Sequence, residues 1–302
     1  MKIIKTRQIK TLMTLLIMIY TIFSINVFAQ KTLPEFSVYG GGGFSFFAYH
    51  PNLRNASSGG FSADAGAGFT FFLHQQWGIH VGTGFGLYNV NVKVKSLQTI
   101  TPGQEDCDAN LYDLHTTLNN YSEIHKSMFL NVPLMVQFQT KQYHSKDWKK
   151  NNKPGFYAMG GIKTLFLLKN SYSSKIISLS NAAYYPEFDN WIATLPALGL
   201  GTFDGKSSEE TSKFGTLVMF ALEAGTKWQI GDDLFLYTGA FFDCGLNDPI
   251  KGNRKPYSNY TDIESLSGFS IVMFADRINL MTVGIKLRLA FLLSRRCRDC
   301  PY

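Results

Sequence analysis

Hydrophobic and polar residues alternate with a period of two through most of this chain, most clearly from Trp77 to Tyr88. Trp77, Ile79, Val81, Thr83, Phe85 and Leu87 fall on one side; Gly78, His80, Gly82, Gly84, Gly86 and Tyr88 fall on the other. Successive side chains of a strand point to opposite faces, so this stretch predicts a β-strand with one bulky apolar face and one face of glycine and polar groups. A soluble sandwich would bury its bulky face and charge the other. A barrel wall in lipid reverses that arrangement: large apolar side chains meet acyl chains, and small or polar ones fill the interior.

The same alternation predicts eight strands, at about Glu35–Tyr49, Phe61–Phe71, Trp77–Tyr88, Lys126–Thr140, Gly155–Lys169, Phe214–Ile230, Leu234–Leu246 and Leu280–Leu292. His74-Gln75-Gln76 and Gly231-Asp232-Asp233 predict tight turns. Long segments near 96–122, 170–212 and 247–277 carry little regular pattern and are expected to be loops. An even number of antiparallel strands, with tight turns at one end and long loops at the other, is the pattern of an outer-membrane barrel. The expected fold is therefore all-β: a transmembrane antiparallel up-and-down barrel of eight strands with long extracellular loops and both termini periplasmic. Ten strands would result if Trp191–Leu200 and Ser267–Phe274 also joined the wall; the second reads as an extension of the last hairpin above the membrane.

The ends agree with export. The first ten residues carry four Lys/Arg and no acid, an apolar run follows from Leu12 to Ile25, and Val27-Phe28-Ala29 places small residues before Gln30. Residues 1–29 read as a secretory signal peptide, since the run is short for a spanning helix. No cysteine stands at the cleavage point, which argues against a lipoprotein. The expected organisation is a signal peptide at 1–29, a barrel at 30–294 and a periplasmic tail at 295–302. Without the four leader charges, 25 Lys/Arg face 22 Asp/Glu, so the formal charge falls from +7 to +3, too weak to argue for a nucleic-acid partner.

The inward faces would receive Asp64, His80, Lys163, Glu223, Lys227, Asp243, Lys286 and Arg288. Eight strands enclose a space just wide enough for side chains to fill. Burial of an unpaired charge is costly, so these residues read first as a plug of mutually satisfied charges and, in the alternative, as the lining of a narrow polar pore. His50, His115, His125 and His144 fall near strand ends or in loops, with no spacing that demands catalysis or a metal. No catalytic residue, cofactor or metal is expected, and a rim-located enzyme is the weakest reading. Gly40 to Gly43 lies inside a strand and opens no helix, which is a poor phosphate cradle. Cys107 and Cys244 fall towards the outer end, where the compartment permits a disulfide that spacing alone does not establish. Cys297 and Cys300 follow the last strand and read as a local disulfide or an attachment tail.

Several stretches resemble a known family. Phe129 to Phe138, FLNVPLMVQF, resembles the Y-L-E-I-P-L-L-L-K-Y strand of PorT-like, OmpA-type outer-membrane β-barrel proteins of Bacteroidetes. Tyr157–Gly161, Leu236–Gly239 and Asp243–Leu246 resemble later strands of that group. Gly284, Leu287, Leu289 and Phe291 resemble the terminal-strand pattern read by the barrel assembly machinery. Asn131 stands where the family usually has Glu, which keeps an inward polar group. The resemblance covers nearly the whole mature chain and implies a barrel without the peptidoglycan-binding domain of many relatives. It implies the outer-membrane lipid bilayer and, during insertion, the assembly machinery as partners. The expected work is that of a structural mount that displays loops or docks a protein partner, with a narrow passive channel as the alternative.

Overall fold

The computed structural model describes residues 34–49, 56–140, 154–175, 178–204, 207–210, 214–249 and 277–293. The expected signal peptide and tail, Cys297, Cys300, His50, His144 and Ser267–Phe274 lie outside these residues. Among the described residues twelve strands form one sheet: β1 (Glu35–Tyr49), β2 (Ala56–Phe72), β3 (Trp77–Glu105), β4 (Leu111–Gln139), β5 (Gly155–Lys175), β6 (Ser178–Tyr185), β7 (Asn190–Ile192), β8 (Gly201–Asp204), β9 (Ser207–Glu210), β10 (Leu217–Gln229), β11 (Leu234–Gly245) and β12 (Ile278–Leu292).

Eight of these close a ring, with every neighbouring pair antiparallel: β1, β2, β3, β4, β5, β10, β11, β12 and back to β1. The register makes the closure quantitative. From Gln137 the partners run through Met159, Glu223, Phe241, Gly284, Gly43, Ser62 and Tyr88, and return to β4 at Ser127, ten residues along the strand. Such a stagger requires tilted strands and leaves an interior that side chains can fill. Trp191–Leu200, the candidate for an extra wall strand, instead supplies part of β7 and a 3-10 turn at Pro196–Leu198.

All eight wall strands turn bulky apolar residues outward, among them Phe44, Phe61, Trp77, Phe85, Leu134, Phe156, Leu222, Phe242 and Ile285, all exposed. Along β3 this belt runs from Trp77 to Leu87. Ten residues at about 3.3 Å each, tilted by roughly 40°, span about 25 Å, the height of the apolar band of outer-membrane barrels. The opposite face of β3 is inward: Gly78, His80, Gly84, Gly86 and Tyr88 are buried.

The wall is lopsided. β3 and β4 are 29 residues long, whereas β11 has 12 and β1 has 15. The segment expected as a polar loop at 96–122 is mostly strand, because β3 and β4 stay paired from Ser96↔Asn119 to Glu105↔Leu111. Much of 170–212 is likewise strand: β6 continues β5 along the same edge of β4, and β7, β8 and β9 return beside β6 and β5. The register between β3 and β4 holds through Asn120, yet the buried set changes there from Tyr121 and Glu123 to Leu118 and Thr116. Asn120 has φ 50°, a left-handed conformation that Asn tolerates and that swaps the faces of the strand above it.

Candidate functional site

The interior at the tight-turn end of the barrel holds a single charge network. Alternation puts all eight expected residues inside, and each is buried. Lys163 pairs with Asp243, and its Nζ lies 3.8 Å from Asp64 Oδ2. Lys286 spans the gap, 3.7 Å from Asp64 and 3.4 Å from Glu223. Arg288 donates to Glu223 at 2.5 Å, and the Tyr157 hydroxyl donates to the same carboxylate at 2.9 Å. Lys227 donates to Glu35 at 2.5 Å and to Gln139 at 3.1 Å, while Tyr237 donates to Glu35 at 2.6 Å. His80 is held apart from the ion pairs by a 3.0 Å contact with Thr70 Oγ1.

Glu35 was absent from the sequence expectation. With it, the acids of this network are Glu35, Asp64, Glu223 and Asp243, and its bases are Lys163, Lys227, Lys286 and Arg288. Four charges of each sign cancel. Its signal was available: Glu35 has the opposite parity to Phe36 and Val38, so the apolar face of β1 already assigned it inward. Tyr157 and Tyr237 share inward parity with Lys163 and Asp243 and were also overlooked. Rings complete the cations' surroundings, with Lys227 4.3 Å from the Phe235 centroid and Lys286 4.9 Å from that of Phe241.

Small residues make room for this filling. A Cβ on Gly86 would lie 2.7 Å from Asn131 Nδ2, and one on Gly84 would lie 2.6 Å from the Tyr39 hydroxyl. Beyond the network, Phe47, Tyr88, Phe129, Leu165, Leu217, Met219 and Leu280 form an apolar layer across the barrel. The space among Tyr39, His80, Glu223 and Arg288 is about 10 Å³, and the space among Phe47, His125 and Phe129 is also about 10 Å³. Each is on the order of one water in size.

His115 and His125 lie within β4, not in a loop. His125 is buried at the top of the apolar layer, with Nε2 2.9 Å from Glu123 Oε1, and its ring stacks on Tyr172 and Phe214. The disulfide that the compartment would permit between Cys107 and Cys244 does not form; both are free thiols. Cys107 sits in the turn between β3 and β4, at the tip of the tallest hairpin, whereas Cys244 stays in the wall beside Phe220 and Met281. Extension of β3 and β4 through the supposed loop carries the two sulfurs apart.

The hairpin tip is a second site. Asp106 Oδ1 accepts the amides of Asp108 and Asn110 at 2.9 Å, and its Oδ2 accepts the Tyr185 hydroxyl at 3.2 Å. The amide bond from Asn110 leads the causes that hold the Asp106 carboxyl below its usual value. Burial, followed by the bond to Asp106, pushes the Tyr185 hydroxyl up. Trp191 packs 4.6 Å from His115 and 4.9 Å from Tyr184, by ring centroids. Both Phe188 (60% exposed) and Trp191 (54% exposed) remain largely open. By register, Trp191 is level with Tyr184 and Asp113, near Thr101, fourteen residues beyond the last belt residue of β3, Leu87.

Among curated proteins, none matches the chain. Among solved structures, it is similar to Ail, the attachment invasion locus protein of Yersinia pestis, at 9% identity and a TM-score of 0.26, covering 86% of this chain and 99% of that one. It is also similar to OprG of Pseudomonas aeruginosa, at 10% identity and a TM-score of 0.31, covering 86% of this chain and 94% of that one. The family described as outer membrane protein beta-barrel domain matches residues 28–251, and the chain belongs to that family.

Proposed function

We propose that this barrel is a non-enzymatic, non-conducting mount whose tall end projects from the cell and docks a protein partner. The carrying observation is the exposed aromatic tip: Phe188 and Trp191 stand open on a sheet that continues far past the lipid belt. Isolated exposed apolar residues are ordinary. Aromatic rings gathered on a rigid support, with Tyr184 and His115 behind Trp191, are instead the residue type enriched at protein interfaces. The balanced charge network and the apolar layer support a filled lumen over a narrow channel.

In this reading both termini face the periplasm and the β3–β4 hairpin is extracellular. The assembly machinery inserts the chain through β12, where Leu287 and Phe291 face lipid. The FLNVPLMVQF strand favours a place among PorT-like barrels, as a component of an envelope or secretion assembly. The test is purification from outer membranes in mild detergent of the wild type and of a variant in which an Asn-Gly turn joins Ser96 to Asn119, positions that pair in the sheet. A stoichiometric companion present with the wild type and lost with the shortened hairpin is expected. A barrel that purifies alone in both forms contradicts docking at the tip.

A further inference from the structure

We propose that the outward face of β3, β4 and β5, just above the apolar belt, is a binding site for a phosphorylated lipid of the outer leaflet. The inference rests on the extracellular orientation proposed for the tall end. Register places the side chains in rows across the three strands. Leu87, Met128 and Lys169 form one row, and Asn89, Lys126 and Ser171 form the next. Two rows higher, Lys93 and Lys175 flank Ser122. The four lysines are exposed, and within these rows the three strands turn no Asp or Glu outward, since Glu123 is buried on the inner face. β9 pairs with β5 on the far side of these rows, with Glu209 opposite Ser173 in register.

A break in the alternation creates this arrangement. The β4–β5 register shifts between Met128 and Phe129, and the extra residue leaves Leu168 and Lys169 both exposed on the outer side. An apolar side chain meant for acyl chains is therefore followed at once by a cation. The same place holds a surface cavity of about 450 Å³. Phe61, Ala63, Leu87 and Met128 supply its apolar walls, and Lys126 and Lys169 stand on its lining. That volume lies within the range of about 300–1,000 Å³ usual for ligand sites. An apolar groove at belt level that opens on two ammonium groups matches one ligand chemistry: an acyl chain joined to a phosphate. A soluble anion would have no use for the groove, and an uncharged lipid none for the lysines.

The test uses the full mature chain in dodecyl maltoside, titrated with bisphosphorylated lipid A and followed by native mass spectrometry. The wild type should retain one lipid A. Retention should weaken roughly thirty-fold in a Lys126→Gln, Lys169→Gln pair, because each lysine near an anionic surface contributes about a fivefold factor. A similar weakening is expected with lipid A stripped of its phosphates, and a Lys126→Arg, Lys169→Arg pair should behave as wild type. Both positions face outward, and heat-dependent gel migration confirms that the variants fold. Equal retention by the Gln pair, equal retention of dephosphorylated lipid A, or displacement by inorganic phosphate would each overturn the site. Orientation is measured separately, by labelling Cys107 on intact cells with an impermeant maleimide in a variant lacking the other three cysteines. Labelled cells without a retained lipid sink the lipid site alone. Unlabelled cells sink the orientation, and with it the outer-leaflet source.

Discussion

Glu35, the first residue of β1, accepts a 2.5 Å hydrogen bond from Lys227 on β10, although 192 residues separate the two in the chain. This pair closes the charge network at the tight-turn end and balances its four acids against its four bases. Breaking a buried pair by removal of one partner typically costs about 3–5 kcal/mol, because the survivor is left uncompensated. Glu35→Gln and Lys227→Met should each lower the urea midpoint of unfolding in detergent, and the double variant should recover most of the loss. Independent, additive losses would show that the two residues are not coupled.

Packing against the inner glycines gives a second prediction. Asn131 is fully buried, both polar atoms of its amide lack a hydrogen-bond partner, and it presses on Gly86. Gly86→Ala should cost about 1–3 kcal/mol by overpacking. Adding Asn131→Ala removes the unpaired amide and the contact with it, leaving only Tyr88 Cε2 at 2.7 Å, so the double variant should be more stable than Gly86→Ala alone. Unfolding midpoints decide it, and a neutral Gly86→Ala would mean that the interior has slack.

The tip should respond to acid. The hydrogen bonds to Asp106 lower its carboxyl below the ordinary value of 3.8, so their contribution is complete above that value. It is lost as pH falls through the lowered folded-state value, where protonation removes the charge that the amides favour. Hydrogen-exchange protection of the Asp108 and Asn110 amides, corrected for intrinsic rates, should be flat at neutral pH and fall only in strong acid. Asp106→Ala should abolish this protection at all pH values.

Cys107 and Cys244 should both remain thiols. In a variant without Cys297 and Cys300, the intact mass should be the same with and without reductant, and denatured protein should take up two maleimides. Native protein should react first at Cys107, the exposed thiol. A mass lower by two hydrogens would contradict the separation of the hairpin tip from the wall.

Much of the wall was legible in the sequence because each strand carries its own evidence. Trp77 to Leu87 shows its lipid face without reference to any partner, and the turns at 73–76 and 230–233 are as short as their composition predicts. What stayed hidden depends on partners or on breaks in the period. Residues 96–122 are rich in Ser, Thr and Asn, and they form strands because β3 and β4 pair with each other as a hairpin and β4 pairs on its other edge with the distant β6. Alternation extended through Asn120, or through the Leu168–Lys169 step, assigns every later side chain to the wrong face. Parity alone assigns Asp64, Lys163 and Arg288 inward, and each is buried. The same parity assigns Glu35 inward, opposite to Phe36 and Val38, although it stands at the first position of its strand.

The most direct test of the filled lumen is single-channel recording of the full mature chain in a planar bilayer. The charge network and the apolar layer predict a silent membrane across a range of voltages, with no change when Glu223 or Lys286 is neutralised in a variant that still folds. Steady unitary currents whose ion selectivity shifts with Glu223→Gln or Lys286→Gln would contradict the account and make the network the lining of a pore.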